Sequence, residues 1–186
     1  MKTKPILKGP VGNKYYYFKD YMDFKPNISP RDVFYLGSFG GTYFRDIKSS
    51  VCKKKFTGED VISEYPKSWW KDINIKEIVT NSKYEKNKNK YGVKCGTTLE
   101  FWESKGWITK YDCYGWFQWY CRFFMGRRLG SEDERQINRW KGVCSEKGRF
   151  RNWLINDIIK KKNNTNGVDD FEISPVKRQL LQHWGY

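Results

Sequence analysis

The segment YGWFQWYCRFFMGRR, residues 114–128, constrains the fold more than any other part of this 186-residue chain. Over residues 115–126 the spacing of its side chains predicts a helix that is apolar almost all the way round. Its only polar line joins Gln118 and Arg122, which lie four residues apart. Because such a helix offers water no continuous polar face, we expect it at the centre of the fold.

Start and stop signals along the chain predict at least six helices. Their first turns are expected at Pro30, after Thr97, near Gly115, at Ser131, after Gly148 and at Pro175. Capping-box spacing occurs twice, at residues 97–100 and 131–134. Strand is expected only in short stretches, around residues 41–47, 91–95 and 107–111. The pattern favours a mainly α fold with little or no strand, with α+β as the alternative.

The chain length of 186 residues fits a single compact domain, because one hydrophobic core serves a chain of this size. Residues 1–28 are expected to form an extended arm, since Pro5, Pro10 and the nearby glycines disfavour a helix. Residues 29–186 are then the single, mainly helical domain. The polar run at residues 84–90, YEKNKNK, is typical of a mobile loop.

The charge balance indicates the class of partner. The chain carries 36 Lys and Arg against 21 Asp and Glu, a formal net charge of +15. A charge of this size attracts polyanions and makes nucleic acid the leading partner. The alternative is compositional drift, because a chain without alanine and rich in Lys, Asn, Ile, Tyr and Phe is typical of an AT-rich genome.

Arginine is less easily attributed to drift, since seven of the ten arginines lie within residues 122–151. Arg135 and Arg139 share one helix face, a placement of like charges that mildly disfavours an isolated helix. With their neighbours they are expected to form a ridge that contacts phosphates. The predicted contacts are Arg127, Arg128, Arg135, Arg139, Arg149 and Arg151. The alternatives are internal salt bridges and, for the pair at 127–128, stabilisation of a helix C-terminus.

The segment GSFGGTYFR, residues 37–45, is a weaker candidate site. Its three glycines allow backbone N–H groups to converge on an anion, or they simply stop a helix and start a turn. It matches neither of the common nucleotide-binding glycine motifs. Tyr43 and Arg45 resemble an aromatic and arginine pair on which a base stacks, and Trp116 is a second candidate for stacking.

Arg122 has two interpretations, because a guanidinium among aromatic side chains needs a partner. It forms either a buried ion pair with Asp112, Asp133 or Glu134, or a pocket with Gln118 that binds a phosphate, a carboxylate or a base edge. In the second case Asp112 is a candidate general acid or base. Asp112, Gln118 and Arg122 are therefore the weak catalytic candidates.

The five cysteines and the single histidine, His183, do not have the spacing of a zinc or haem site, so we expect neither a metal nor a cofactor. The N-terminus has no apolar leader, and no stretch approaches eighteen apolar residues. We therefore expect no membrane partner and an intracellular location, in the cytoplasm, the nucleus or a virion, with reduced thiols.

Four segments together resemble an uncharacterised family found in fungi, plants and large DNA viruses. They are GSFGGTYFRDI (37–47), DCYGWFQWYCRFFMGRR (112–128), DERQINRW (133–140) and GRFR (148–151). The resemblance extends from about residue 24 to residue 184, and the AT-rich composition suits a giant-virus member. Cys113 stands where the family has proline. The resemblance implies that the four segments belong to one fold, and it implies no activity, cofactor or catalytic residue.

The leading hypothesis is a basic, aromatic-rich nucleic-acid-binding protein, with DNA slightly favoured over RNA. Its arginine ridge would contact phosphates while aromatic side chains stack on bases. One alternative is an enzyme that acts on nucleic acid or a phosphorylated substrate through an aromatic and arginine pocket. The other is a structural or assembly protein that uses its charge to bind an acidic protein partner.

Overall fold

The computed structural model describes residues 4–163 and 166–186, and these are rich in helix. The helices are α1 (Pro30–Tyr35), α2 (Gly58–Ile62), α3 (Ile75–Ile78), α4 (Leu99–Ser104), α5 (Trp116–Phe124), α6 (Ser131–Cys144), α7 (Arg149–Lys162) and α8 (Pro175–His183). The strands are β1 (Ile6–Lys8), β2 (Tyr15–Tyr17), β3 (Ile47–Ser49) and β4 (Lys54–Phe56). Each of the two sheets is an antiparallel pair, β1 with β2 and β3 with β4. The helix-rich composition agrees with the prediction.

Contacts divide the chain into two compact units. The terminal unit combines Met1–Ser29 with Arg122–Tyr186, and the central unit is Pro30–Cys121. The division falls inside α5, the helix expected at the centre of the fold.

The described part of residues 1–28, expected as an extended arm, begins as a hairpin within the terminal unit. Tyr16 of β2 pairs with Leu7 of β1 and packs edge-on against Phe124, with ring centres 4.9 Å apart. The backbone N–H of Tyr16 also donates to the carbonyl of Pro26 at 2.7 Å. The hairpin is thus anchored at its base.

Aromatic side chains form the core of the terminal unit. Phe18, Phe24 and Phe123 contact one another, with ring centres 5.0–5.5 Å apart, and Phe24 also meets Trp140 edge-on at 5.2 Å. The indole N–H of Trp140 donates to the carbonyl of Trp184 at 3.0 Å. Residues distant in sequence are therefore joined by stacked, tilted and edge-to-face ring contacts, which add to the burial of apolar area.

The core of the central unit is built around Phe34 of α1. Its ring contacts Phe44 at 5.4 Å and Phe117 of α5 at 5.1 Å, and Tyr43 packs edge-on against Phe117 at 5.0 Å. The predicted helix from Pro30 is confirmed, and its buried Phe34 explains why this short helix is held in place. Segments 30–45 and 112–121 thus share one core.

Several local expectations were wrong. Residues 91–95 and 107–111 form no strand apart from a single bridge between Thr109 and Asp112, and the stretch 41–47 contributes only Ile47, where β3 begins. The strands β1, β2 and β4 form where none was expected. The cap of α4 is Thr98, whose hydroxyl accepts from the N–H of Phe101, and not its neighbour one residue earlier. Ser131 is the first residue of α6, and the preceding Gly130 provides no side-chain cap.

Two cysteines expected to be reduced are joined. Cys52, in the turn between β3 and β4, forms a disulfide with Cys113, which lies just before α5. Both belong to the central unit, and the bond closes a loop with a sequence separation of 61 residues. Cys95, Cys121 and Cys144 take no part in a disulfide and are buried. The prediction of reduced thiols is therefore corrected for the first pair.

Candidate nucleic-acid interface

Arg135 and Arg139, the centre of the predicted ridge, are engaged within α6. Arg135 forms a bidentate pair with Glu132, and both N–H···O distances are 2.8 Å. Arg139 donates to the side-chain carbonyl of Gln136 at 2.8 Å and lies 5.6 Å from the Trp184 ring centre. Internal pairing, one of the alternatives for these arginines, accounts for the contacts made by Arg135.

Arg128 closes the C-terminus of α5. Its guanidinium lies 3.7 Å from the centre of the Phe123 ring and donates to the carbonyl of Phe123 at 2.7 Å. It also bonds the carboxylate of Asp20 at 2.6 and 3.3 Å. Complementing a helix C-terminus was the structural alternative for residues 127–128, and for Arg128 the geometry agrees with it.

Exposure separates one arginine from the rest of the predicted ridge. Arg149 is exposed, whereas Arg127, Arg128, Arg135, Arg139 and Arg151 are partly buried. Arg151 lies 6.0 Å from the Tyr186 ring centre. The guanidinium of Arg149 instead lies beside two aromatic rings of its own helix, 5.1 Å from Phe150 and 5.2 Å from Trp153. Arg149 is therefore the ridge residue best placed to meet a ligand.

The two residues expected to stack on bases are buried. Tyr43 is 4% exposed and Trp116 is 6% exposed, so neither ring offers a face to a base in this structure. The Tyr43 hydroxyl donates to the carbonyl of Tyr114 at 2.7 Å, and burial raises its pKa well above the ordinary value. Arg45, the expected partner of Tyr43, is partly buried and donates to the carbonyl of Thr42 at 3.2 Å. The stacking role is corrected for Tyr43 and Trp116.

The glycine-rich turn at residues 37–41 is hydrogen-bonded to another segment of the central unit. Gly40 has a positive φ, and its N–H donates at 2.8 Å to the side-chain carbonyl of Asn89. The Asn89 amide in turn donates at 2.7 Å to both the Tyr84 hydroxyl and the carbonyl of Val93. Asn89 is buried, so residues 84–90 are not the loose loop expected from their polarity. One expectation for this turn was that its N–H groups bind an anion. In the structure the N–H of Gly40 instead donates to the amide oxygen of Asn89.

Gln118 serves the backbone that precedes α5. Its side-chain carbonyl accepts from the backbone N–H of Tyr114 at 3.0 Å. The backbone N–H of Gln118 donates to the Tyr43 hydroxyl at 2.7 Å. Asp112 is fully buried. Arg122, one residue past the division inside α5, is partly buried. A pocket lined by these residues stays a prediction, and the hydrogen bonds of Gln118 give it a structural role.

The exposed face of α7 is a site that the sequence prediction missed. Arg149, Trp153, Asn156 and Lys160 are all exposed, and their spacing of four, three and four residues places them within about 60° of the helix circumference. They extend over roughly 16 Å of the helix axis. The indole of Trp153 is 44% exposed. These four residues are hereafter the α7 face.

Charge is concentrated around this indole. The α7 helix carries five basic residues and a single acid, Asp157. Lys177 of α8 bonds the carboxylate of Asp157 at 2.5 Å and lies 5.9 Å from the Trp153 ring centre. The hydrogen bond from Lys177, followed by that from Ser174, holds the pKa of Asp157 below its usual range. The one acid of α7 is thus already paired.

A surface cavity of about 380 Å³ adjoins the C-terminal part of α7. It is lined by Asp157, Lys160, Lys161, Glu172, Ile173 and Ser174. Because Asp157 is engaged by Lys177 and Ser174, the two lysines and Glu172 are the charged groups left to meet a solute there. Lys160 belongs both to this cavity and to the α7 face.

The signal for this face was present in the sequence. Phe150, Leu154 and Ile158 are spaced four residues apart as the apolar stripe of a helix, and Ile158 is buried. The opposite side of the same helix must then face water. A tryptophan on that side, between an arginine and a lysine, is the feature to look for in a protein that binds single strands.

Another tryptophan has nearly the same exposure and follows an acidic helix. Trp107 of the central unit is 41% exposed and contacts Phe101 edge-on at 5.8 Å. It follows α4, which carries Glu100 and Glu103 and no basic residue. Exposure alone therefore does not distinguish Trp153, and its further feature is the approach of the Arg149 guanidinium and the Lys177 ammonium to its ring.

Metal and thiol chemistry receive no support from the described residues. No group of three or more His, Cys, Asp or Glu side chains is placed to hold a metal ion in the described part of the chain. Burial raises the pKa of Cys95 to about 11 and that of Cys144 well above its usual value, so these thiols are poor nucleophiles. Among residues 4–163 and 166–186, no helix has the length and apolar composition needed to cross a bilayer.

The chain matches no protein-family model, no curated protein and no solved structure. The function is therefore inferred from the geometry and charge of the residues themselves.

Proposed function

We propose that this protein binds nucleic acid through the α7 face, with DNA favoured over RNA. The observation that carries the proposal is the position of Trp153, an exposed indole with the Arg149 guanidinium 5.2 Å from its ring centre and Lys177 5.9 Å away. Proteins that bind single strands combine an aromatic platform for the base with cations for the backbone.

The chemistry of each residue follows from its position. An unpaired base stacks on the exposed face of Trp153, an interaction of about 1–3 kcal/mol for each base. Arg149 and Lys160 lie on the same side of the helix, roughly 16 Å apart along its axis, and contact phosphates on either side of the stacked base. Asn156, between Trp153 and Lys160, offers an amide for a base edge or a sugar hydroxyl.

The charge distribution also favours the terminal unit, which contains α7, as the site of nucleic-acid binding. The terminal unit carries 20 Lys and Arg against 10 Asp and Glu, so it holds two thirds of the formal net charge of +15. In the central unit, Trp107 has a similar exposure but follows the acidic helix α4. Attraction of a polyanion is therefore strongest on the unit that contains α7.

We propose a mainly α, single-domain protein of the family found in fungi, plants and large DNA viruses, and an intracellular site of action. Of the expected compartments, a virion best suits the disulfide between Cys52 and Cys113, because disulfides persist at virion surfaces and are rare in reducing cytosol and nucleus.

Salt dependence tests the proposal. Binding of a fluorescent 12-nucleotide single strand, as DNA and as RNA, is measured from 50 to 300 mM salt for the wild type and for Arg149→Gln/Lys160→Gln. The double variant is expected to reduce the slope of log K against log salt by about 1.4, since each phosphate contact to a single strand contributes about 0.7.

The matched control is Lys76→Gln/Lys86→Gln, which removes the same charge from exposed positions of the central unit. It is expected to leave the slope unchanged. Equal slopes of log K against log salt for the two double variants would show that Arg149 and Lys160 act only through the net charge of the protein and do not contact phosphates. Absence of binding by the wild type would favour an enzyme with another substrate or an assembly protein with an acidic protein partner.

A further inference from the structure

The hairpin formed by β1 and β2 carries apolar side chains where a solvated hairpin carries polar ones. Val11, at its tip, is 95% exposed, and Ile6 and Leu7 of β1 are 59% and 48% exposed. All of residues 9–14 are exposed. Isolated exposed apolar residues are ordinary, but three within one projecting ribbon indicate a surface for a partner.

The tip has a defined shape. Gly9 and Gly12 have positive φ angles of 101° and 86°, and the N–H of Asn13 donates to the carbonyl of Pro10 at 3.0 Å. A side chain at Gly9 would collide with the backbone carbonyl of Asn13. The turn therefore presents Pro10 and Val11 in a fixed arrangement at the end of the ribbon, while the Tyr16–Phe124 contact holds the other end.

The charge of this ribbon has a single sign. The first Asp or Glu of the chain is Asp20, so residues 1–19 contain lysines and no acid. Lys8 and Lys14 flank the turn, and the Lys8 ammonium lies 3.6 Å from the Tyr17 ring centre. A ribbon with basic sides and an apolar tip complements a polyanion that has an apolar interior.

We propose that this hairpin is a second nucleic-acid contact and that it enters a groove of duplex DNA. The proposal rests on the proposed function in taking nucleic acid as the ligand, but it concerns different residues and a different form of the ligand. A two-stranded ribbon fits the major groove, and apolar wedges such as proline enter the minor groove between base steps. Lys8 and Lys14 contact the phosphates at the groove edges.

A lipid surface is the other ligand that apolar and basic residues together can bind. Stable attachment to a membrane requires a large buried apolar area in addition to basic residues. Here the fully exposed part of the tip is essentially one valine. The acid-free sequence and the small apolar area favour the duplex.

The test compares two ligands and two sites in the full-length protein. A 20-base-pair DNA duplex and a 12-nucleotide single strand are titrated with the wild type, Val11→Ser, Lys8→Gln/Lys14→Gln and Trp153→Ala. Met22→Ser is the control for Val11→Ser, because Met22 is 61% exposed in the same unit but lies outside the hairpin. Each variant is first checked for an unchanged melting temperature.

Val11→Ser is expected to bind the duplex roughly tenfold more weakly and the single strand as the wild type does. Lys8→Gln/Lys14→Gln is expected to lower the salt slope for the duplex by about 1.8. Trp153→Ala is expected to show the opposite selectivity, losing affinity for the single strand.

Wild-type duplex affinity in both hairpin variants would overturn the hairpin proposal without affecting the proposed role of α7. The same proteins are also titrated with anionic phosphatidylserine vesicles. Loss of vesicle binding by the two hairpin variants, with their duplex affinity unchanged, would overturn the hairpin proposal in favour of a lipid contact. Loss of single-strand binding only in the hairpin variants, with Trp153→Ala unaffected, would contradict the proposed function and the hairpin proposal together.

Discussion

The side-chain carbonyl of Asn89 accepts a 2.8 Å hydrogen bond from the N–H of Gly40, although the two residues lie 49 positions apart. Asn89 also donates to the Tyr84 hydroxyl and to the carbonyl of Val93, so one buried amide ties the glycine-rich turn to two segments of the central unit. A segment of apparent low complexity thus provides a central structural residue of that unit.

Replacing Asn89 is expected to destabilise the protein. Asn89→Ala leaves the buried N–H of Gly40 and the partly buried carbonyl of Val93 without their partner, at a cost of about 1–3 kcal/mol for the buried group and less for the other. Urea unfolding followed by tryptophan fluorescence measures the change. Asn87→Ala, at an exposed position two residues earlier, is the matched control and is expected to lie within about 0.5 kcal/mol of the wild type.

A pair of glycine substitutions tests the close packing of this turn. At Gly40 an added methyl group would meet the Tyr84 ring, with the nearest ring atom 2.7 Å away, whereas at Gly92 it would meet open space. Both glycines have positive φ, so both alanine variants bear the same backbone cost of about 1–2 kcal/mol. Gly40→Ala should unfold at a clearly lower urea concentration than Gly92→Ala, and coincident midpoints would contradict the packing.

The expected role of Arg128 is stability, without an effect on nucleic-acid affinity. Arg128→Met keeps an apolar stem over the Phe123 ring but removes the bonds to Asp20 and to the carbonyl of Phe123. We expect a loss of about 1–3 kcal/mol in the free energy of unfolding. The measured affinity for a single strand at physiological salt should change less than twofold. A tenfold loss would indicate that Arg128 contacts the nucleic acid.

Reduction of the disulfide between Cys52 and Cys113 is expected to lower the melting temperature. In the chain-entropy model, closing a loop of 61 residues stabilises the folded state by about 4 kcal/mol. Scanning calorimetry with and without reductant measures the difference. Cys52→Ser/Cys113→Ser should melt at the temperature of the reduced wild type, and reductant should not change its melting temperature. An unchanged melting temperature of the wild type in reductant would contradict the disulfide.

Acid is expected to destabilise the terminal unit through His183, the only histidine of the chain. Burial lowers the pKa of this ring to about 3, whereas its pKa in the unfolded chain is about 6.5. Below pH 6.5 the unfolded state therefore binds a proton that the folded state does not, so stability falls as pH decreases from 6.5 towards 3. Between pH 7 and pH 5 the loss is about 2 kcal/mol.

Urea unfolding of the wild type and of His183→Asn at pH 7, 6 and 5 measures this dependence. The variant is expected to lose far less stability across the interval, because it has no ring to protonate. The carboxyl groups with lowered pKa, such as Asp157, lose their contribution at lower pH, as the pH falls through their folded-state values. Identical slopes for the two proteins would show that His183 is not the titrating group.

The sequence predicted what depends on local pattern. The α5 helix was expected from residues 115–126 and runs from Trp116 to Phe124. The α6 helix was expected to begin at Ser131, and its first residue is Ser131. Periodicity of this kind requires no knowledge of distant residues. Contacts between distant residues were the part that pattern could not supply, as the Arg128–Asp20 pair shows with its separation of 108 residues.

Candidate site residues were predicted less well for the same reason. Trp116 and Trp153 both lie on helices in aromatic sequence, and only tertiary packing buries the first and exposes the second. For Arg135 the sequence left a phosphate contact and an internal salt bridge open, and the structure shows a pair with Glu132, three residues earlier. That pair was detectable from helix spacing, whereas the burial of Tyr43 was not.

The most direct test of the account compares two tryptophans of nearly equal exposure. Trp153→Ala and Trp107→Ala each remove one exposed indole, the first beside Arg149 and Lys177 and the second after the acidic helix α4. Fluorescence polarisation with a labelled 12-nucleotide single strand is predicted to show a loss of about 1–3 kcal/mol for Trp153→Ala and wild-type affinity for Trp107→Ala. Equal affinities of the two variants would contradict the assignment of the nucleic-acid site to α7.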